Sequence, residues 1–191
     1  MITGASDTFA IESIISQAYE HPSFLALGYF VIRIKGITYG LVKPDATLLS
    51  CSFDEVKKRL TERGRHTAPF AHESDASDIA KAFWMSFYQD APVSHVLGFP
   101  ITIFREPFER KVGNCIWAPD GDEAFDDGSF VLQFDIADSV RLIGFKSERG
   151  HSSALHSISD LRLPADDYYG TLEAWLDNFD RERQMQLPLH K

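Results

Sequence analysis

From Tyr29 onward the chain alternates, with Phe30, Ile32 and Ile34 set against Tyr29, Val31, Arg33 and Lys35, and the run resumes from Ile37 to Val42 after Lys35-Gly36. A period of two in β-branched and aromatic residues predicts two strands, and the Lys-Gly pair predicts the tight turn of a hairpin. Lys43-Pro44-Asp45 should end the second strand, because proline has no N–H to give to the ladder. The period then lengthens. Phe53, Val56 and Leu60 recur at i, i+3 and i+7, with lysines and arginines on the opposite face. Ser52 stands three residues before Glu55, a capping-box spacing, and Gly64 supplies the left-handed residue that commonly ends a helix. A helix over 53–63 is therefore predicted, capped by Ser52, with those three apolar side chains against the core.

Elsewhere the pattern is read in the same way. Phe9, Ile11, Ser13 and Ile15 alternate and predict a strand, although Ile11, Ile14, Ile15 and Ala18 also fit one helical face. Ile79, Phe83 and Phe87, flanked by Ala80, Trp84 and Tyr88, predict a helix over 75–89 with Ser74 or Asp75 at its N-cap. Residues 91–100 read as a connector, and Ile101 to Phe104 as a short strand ended near Pro107. Ile116-Trp117 precedes a second hairpin, Ser129 to Asp135 and Ser139 to Lys146, linked by Ala137-Asp138. A further short strand is expected over 158–163. Tyr168, Tyr169, Leu172, Trp175, Leu176 and Phe179 predict a last helix from Asp166 to about Gln184, followed by a flexible tail containing Pro188. No internal repeat and no strict strand–helix–strand alternation occurs. The order predicts a single α+β domain over 1–191: a mostly antiparallel sheet with about three helices packed against it.

Composition narrows the function. A chain of 191 residues, 44% hydrophobic and with fifteen Phe, can bury a core without disulfides. Its net charge of −9 argues against a surface that neutralises phosphates, so no nucleic-acid partner is expected, and basic proteins are the more natural partners. Cys51 and Cys115 are too few for a secreted disulfide framework or a four-thiolate zinc site, and suit a reducing compartment as small buried hydrophobes. No run approaches the roughly 18 apolar residues of a membrane span. The first twenty residues lack a secretory signal, so a cytoplasmic location is expected.

Candidate chemistry is sparse. Ala118 to Gly128 reads APDGDEAFDDG, with five acids in eleven residues. Asp120 and Asp122 occupy the first and third positions of a calcium loop, but Ala124, Phe125 and Val131 stand where a ligand, a glycine and a bidentate glutamate belong, so no metal is expected. Cys51, His66 and Asp45 could be drawn as a nucleophile, base and orienting acid, yet no nucleophile signature surrounds the thiol. His151 and His156 are five apart, which is not a helical zinc spacing, and they read as surface residues. No phosphate-binding or cofactor motif occurs, and no cofactor is expected.

The blocks GASDTFAI from Gly4, GYFVIRIKGITYGLVKPDATLLSCSFDEVKKRLTERGRH from Gly28 and DDGSFVLQFDIADSVRLIGF from Asp126, with the terminal aromatic helix, resemble the immunity protein 42 family of bacterial polymorphic toxin systems. The resemblance implies a non-catalytic protein that binds and neutralises a cognate toxin. A small cytosolic hydrolase using Cys51 or a carboxylate is the alternative. For an inhibitor of a basic toxin, the acidic stretch is the expected contact surface: Asp120, Asp122, Glu123, Asp126 and Asp127, with Trp117 and Phe125 as aromatic anchors. A solvated loop without a partner accounts for the same composition.

Overall fold

The computed structural model describes residues 1–89, 93–147 and 155–187. Strands β1 (Ile2–Gly4), β2 (Phe9–Ala18), β3 (Ala26–Ile34) and β4 (Ile37–Tyr39) form an antiparallel sheet in that order, and β5 (Thr47–Leu48) pairs with the start of β3. Lys35 (φ 51°) and Gly36 (φ 78°) both adopt the left-handed conformation, so the turn has the twist that its flanking strands require. The second strand is shorter than its sequence predicts. It ends at Tyr39, Gly40 turns the chain away at φ 115°, and Val42 is left exposed.

Helix α1 (Leu49–Thr61) starts four residues before the predicted point, and Ser52 is a buried first-turn residue that caps nothing. The cause lies upstream. Pairing of Thr47-Leu48 with β3 delivers Leu49, fully buried, directly into the helix, and Leu48 takes the N-cap position. Glu55 then bonds Arg59 one turn later at 2.7 Å instead of completing a capping box. The inward stripe is as predicted: Val56 is fully buried, and Phe53 and Leu60 pack against the same core. Arg59, expected on the polar face, is also buried.

Helix α2 (Ala76–Tyr88) follows with Asp75 at its N-cap, where the backbone carbonyl receives the N–H groups of Asp78 and Ile79. In the segment read as a connector, β6 (His95–Val96) and β7 (Phe99–Pro100) pair around a left-handed Leu97-Gly98 turn. The predicted strand at Ile101 to Phe104 is instead the start of helix α3 (Ile101–Glu109). Pro107 sits inside that helix, a cost of about 3 kcal/mol. Phe104 and Phe108, four apart on one face, are buried against Phe70, and at roughly 2–3 kcal/mol for each buried side chain they outweigh the proline.

Strands β8 (Ile116–Ala118), β9 (Ser129–Ile136), β10 (Ser139–Ser147) and β11 (Leu155–Pro164) make a second antiparallel sheet in the order β11-β10-β9-β8, and helix α4 (Ala165–Gln186) closes the described chain. The class is α+β, with two main sheets where one was expected and four α-helices among the described residues where about three were. Alternate faces of the second sheet serve two cores. Val131, Val140 and Leu142 face Phe30, Tyr168, Leu172, Trp175 and Phe179 from β3 and α4. Phe130, Leu132, Phe134, Ile143 and Phe145 face Phe83 of α2 and the phenylalanines of α3. His151 and the predicted tail at Pro188 lie outside the described residues.

Tyr39 joins the sheets. Its ring is fully buried, and its hydroxyl lies 2.5 Å from the Ser157 carbonyl and 2.7 Å from the Ser159 hydroxyl of β11. Gly144 of β10 makes room for it, since a β-carbon there would stand 2.4 Å from the ring. Gly144→Ala is expected to lower stability by about 1–3 kcal/mol through this overpacking, read as a shift in the urea unfolding midpoint. An unchanged midpoint would mean that the ring is not held between the sheets.

Candidate partner-binding surface

The acidic stretch is the connection from β8 to β9, as the sequence predicts, and its packing fixes its shape. Asp122 accepts the Ala124 N–H at 2.9 Å and starts a single 3₁₀ turn over Glu123–Phe125. The Ala124 carbonyl accepts the Leu41 N–H at 2.8 Å, which ties the turn to the end of the first hairpin. Asp127 accepts the Ser129 N–H and pairs with Lys146 at 2.7 Å. Asp122 and Asp127 therefore have local structural duties. Asp122, Glu123 and Asp126 are exposed, while Asp120 and Asp127 are half-buried.

The two expected anchors point inward. Trp117 is 3% exposed and Phe125 4%, both beside Phe30 at 5.8 and 6.3 Å, so they support the loop from below and cannot be reached by a partner. Accessible rings are found on α2 instead. Trp84 and Tyr88 stack at 4.7 Å with an interplanar angle of 16°, and Tyr88 is 48% exposed. The sequence holds a signal for them: an i, i+4 aromatic pair displaced from the Ile79–Phe83 stripe, where inward packing is already complete.

Beneath the loop lies a chain of buried polar groups. Trp117 Nε1 donates to the Tyr168 hydroxyl, Tyr168 to Gln133 Oε1 at 2.6 Å, Gln133 Nε2 to the Tyr169 hydroxyl at 3.0 Å, and Tyr169 to Asp135 at 2.8 Å. The other Asp135 oxygen accepts the His66 N–H at 3.0 Å. His66 Nδ1 lies 2.9 Å from the Asn114 carbonyl and 3.2 Å from Arg59 Nη1, and Nε2 is buried without a hydrogen-bond partner among the described residues. Burial first, then the nearby Arg59 charge, lowers its pKa to about 4.

The drawn triad does not assemble. His66 is buried in this network, whereas Cys51 is exposed on α1, against the expectation of burial, and no hydrogen bond among the described residues links it to His66 or Asp45. Cys115 is buried as expected, which pushes its thiol up to about 12. A cleft of about 490 Å³ over the network gathers Asp135, Asp138 and Asp166, but neither thiol nor imidazole lines it. Asp166 there pairs with Arg63. Among the described residues no cluster of three or more His, Cys, Asp or Glu could hold a metal ion, and no helix is long and apolar enough to cross a membrane.

Residues 1–178 match the family model described as immunity protein 42. Among solved structures, the crystal structure of CdiI from Burkholderia dolosa AUO158 is similar, with a TM-score of 0.59 at 15% sequence identity over 93% of this chain and 99% of that one. At that identity the likeness is one of fold. No curated protein matches the chain.

The buried imidazole makes stability depend on pH. Its folded pKa of about 4 lies below the ordinary value of 6.5, so the unfolded chain binds more protons between the two. Stability is greatest above pH 6.5 and falls as the pH drops through that window, by on the order of 3 kcal/mol in total. His66→Gln should remove this part of the slope, measured as unfolding free energy at pH 4.5 and 7. Parallel losses in both proteins would assign the titration elsewhere.

Proposed function

This chain belongs to the immunity protein 42 family, and we propose from that premise that it is a non-catalytic cytoplasmic inhibitor that binds and neutralises a cognate toxin with a basic surface. The family match over residues 1–178 is the observation that carries the reading. The fold shared with CdiI and the exposed Asp122, Glu123 and Asp126 support it. Opposite charges across an interface speed encounter and fix register, which is what an inhibitor that must intercept a toxin needs. The contact surface in this reading is the β8–β9 loop with Asp120, Asp122, Glu123, Asp126 and Asp127, held in place by the buried Trp117 and Phe125. The hydrolase alternative gains nothing from the geometry around Cys51, described above.

Co-expression with the toxin domain encoded by the neighbouring gene tests the reading. Protection of the host and co-purification as a stoichiometric complex are expected. A toxin that stays fully active in the presence of excess chain would refute it. The variant Glu123→Gln leaves the Asp122 cap and the Asp127–Lys146 pair in place. It should slow association several-fold at low salt and converge with the parent near 0.5 M salt, where charges more than a few ångströms apart are screened. Thermal stability should change little.

A further inference from the structure

Strand β2 is longer than the strand that covers it. β1 pairs with residues 10–12, and Met1 exchanges backbone bonds with Ser13, after which the same edge of β2 continues over residues 14–18 with no strand beside it among the described residues. Backbone donors and acceptors on such an edge point outward, and a further strand is the group that matches their spacing. Both faces of the open edge are apolar. Ile2 pairs with Glu12, so Ile2 and Ile14 share the outer face, where they are 55% and 42% exposed. On the inner face Ser13 accepts the Trp175 indole N–H, and Met1 lines a groove of about 850 Å³ together with Arg181 and Met185 of α4, the latter 79% exposed. Asn178 ties α4 to Thr3 and Arg183 ties it to the β2–β3 turn, so the last turns of α4 flank this edge. A bulge between Ile15 and Gln17 twists the edge and limits what can be added to a short strand.

We propose that the open edge of β2 and the groove beside α4 are the interface of a homodimer, in which β2 of a second copy adds antiparallel along residues 14–18. A two-fold axis near Ser16 joins the two first sheets. It buries Ile14 of both copies on one side and brings the ends of the two α4 helices together over Met1 and Met185 on the other. The rim charges favour a second copy over a partner of one sign: Asp180, Arg181 and Glu182 alternate, so an antiparallel copy sets Arg181 against the partner subunit's Glu182, whereas a purely basic or purely acidic surface meets a like charge. Such a pairing closes on itself, because each edge is consumed by the other. No acid of the β8–β9 loop lines the groove, and the dimer does not rest on the function proposed above.

Sedimentation velocity of the full chain from roughly 10 to 300 μM is expected to show a reversible monomer–dimer equilibrium, weak because the shared strand is short. Each copy carries a net charge of −9, so the dimer should tighten several-fold between about 0.05 and 0.5 M salt, opposite in sign to a contact between the acidic loop and a basic toxin. Ile14→Lys and Met185→Lys should each weaken association about tenfold. Lysine lowers the net negative charge, so that loss reports the seam and not general repulsion. Ile103→Lys, at a position of α3 that is 49% exposed, is the control and should associate like the parent. A chain that stays monomeric at the highest concentration in high salt would overturn the dimer, as would undiminished association of the folded Ile14→Lys and Met185→Lys variants or an equal loss in Ile103→Lys. A monomer whose Ile14→Lys variant binds the toxin more weakly would give the edge to the toxin and equally overturn it.

Discussion

The guanidinium of Arg59, 1% exposed in the middle of the fold, sets the terms for much of what surrounds it. A buried cation is tolerated only when its donors are met, and the partners of this one lie on its own helix and on the segment 114–116 that enters β8. Nε reaches Glu55 within α1, Nη1 the Asn114 carbonyl at 2.8 Å, and Nη2 the Ile116 carbonyl of β8. The plane lies 5.4 Å from the Trp117 ring. One side chain thus pins α1 to the short edge strand β8, which has only β9 as a strand neighbour. The Trp117–Tyr168–Gln133–Tyr169–Asp135 chain extends the same satisfaction of polar groups to α4 and β9. Partial satisfaction of such a network would cost more than an apolar core, so its members are interdependent.

That anchoring bears on the proposed contact surface, because β8 runs directly into the acidic loop. With Trp117 and Phe125 packed under it and Ala124 bonded to Leu41, the loop is ordered before any partner arrives. A preordered loop loses less conformational freedom on binding, so more of its electrostatic attraction appears as affinity. In the proposed reading the acids act mainly on encounter and register.

The sequence was most legible where local period and turn chemistry agree. The β3–β4 hairpin, α2, the β9–β10 hairpin and α4 follow from spacing, because each buries one face, although β4 stops at Tyr39 and Ala137 takes a left-handed φ of 50° in the second turn. Legibility failed where tertiary contacts outrank local rules. Ser52 and Glu55 have capping-box spacing, but β5 feeds α1 earlier. Pro107 reads as a strand stop, but two buried phenylalanines keep it in a helix. Arg59 looks like a member of the polar face, although it stands three residues after Val56, on the inward stripe. At the candidate surface, Trp117 and Phe125 are adjacent to the acids in sequence but serve the core.

The dependence of the loop on the buried guanidinium is open to one direct measurement, native-state amide hydrogen exchange of Arg59→Met compared with the parent chain. The methionine keeps most of the apolar stem and removes every donor. Amides of Leu41, Ala124 and Phe125 should lose protection by at least tenfold more than amides in the β2–β3 ladder, because β8 and the loop open locally before the first sheet does. Equal loss at both places, or unchanged protection in the loop, would contradict the claim that Arg59 holds the acidic loop in shape.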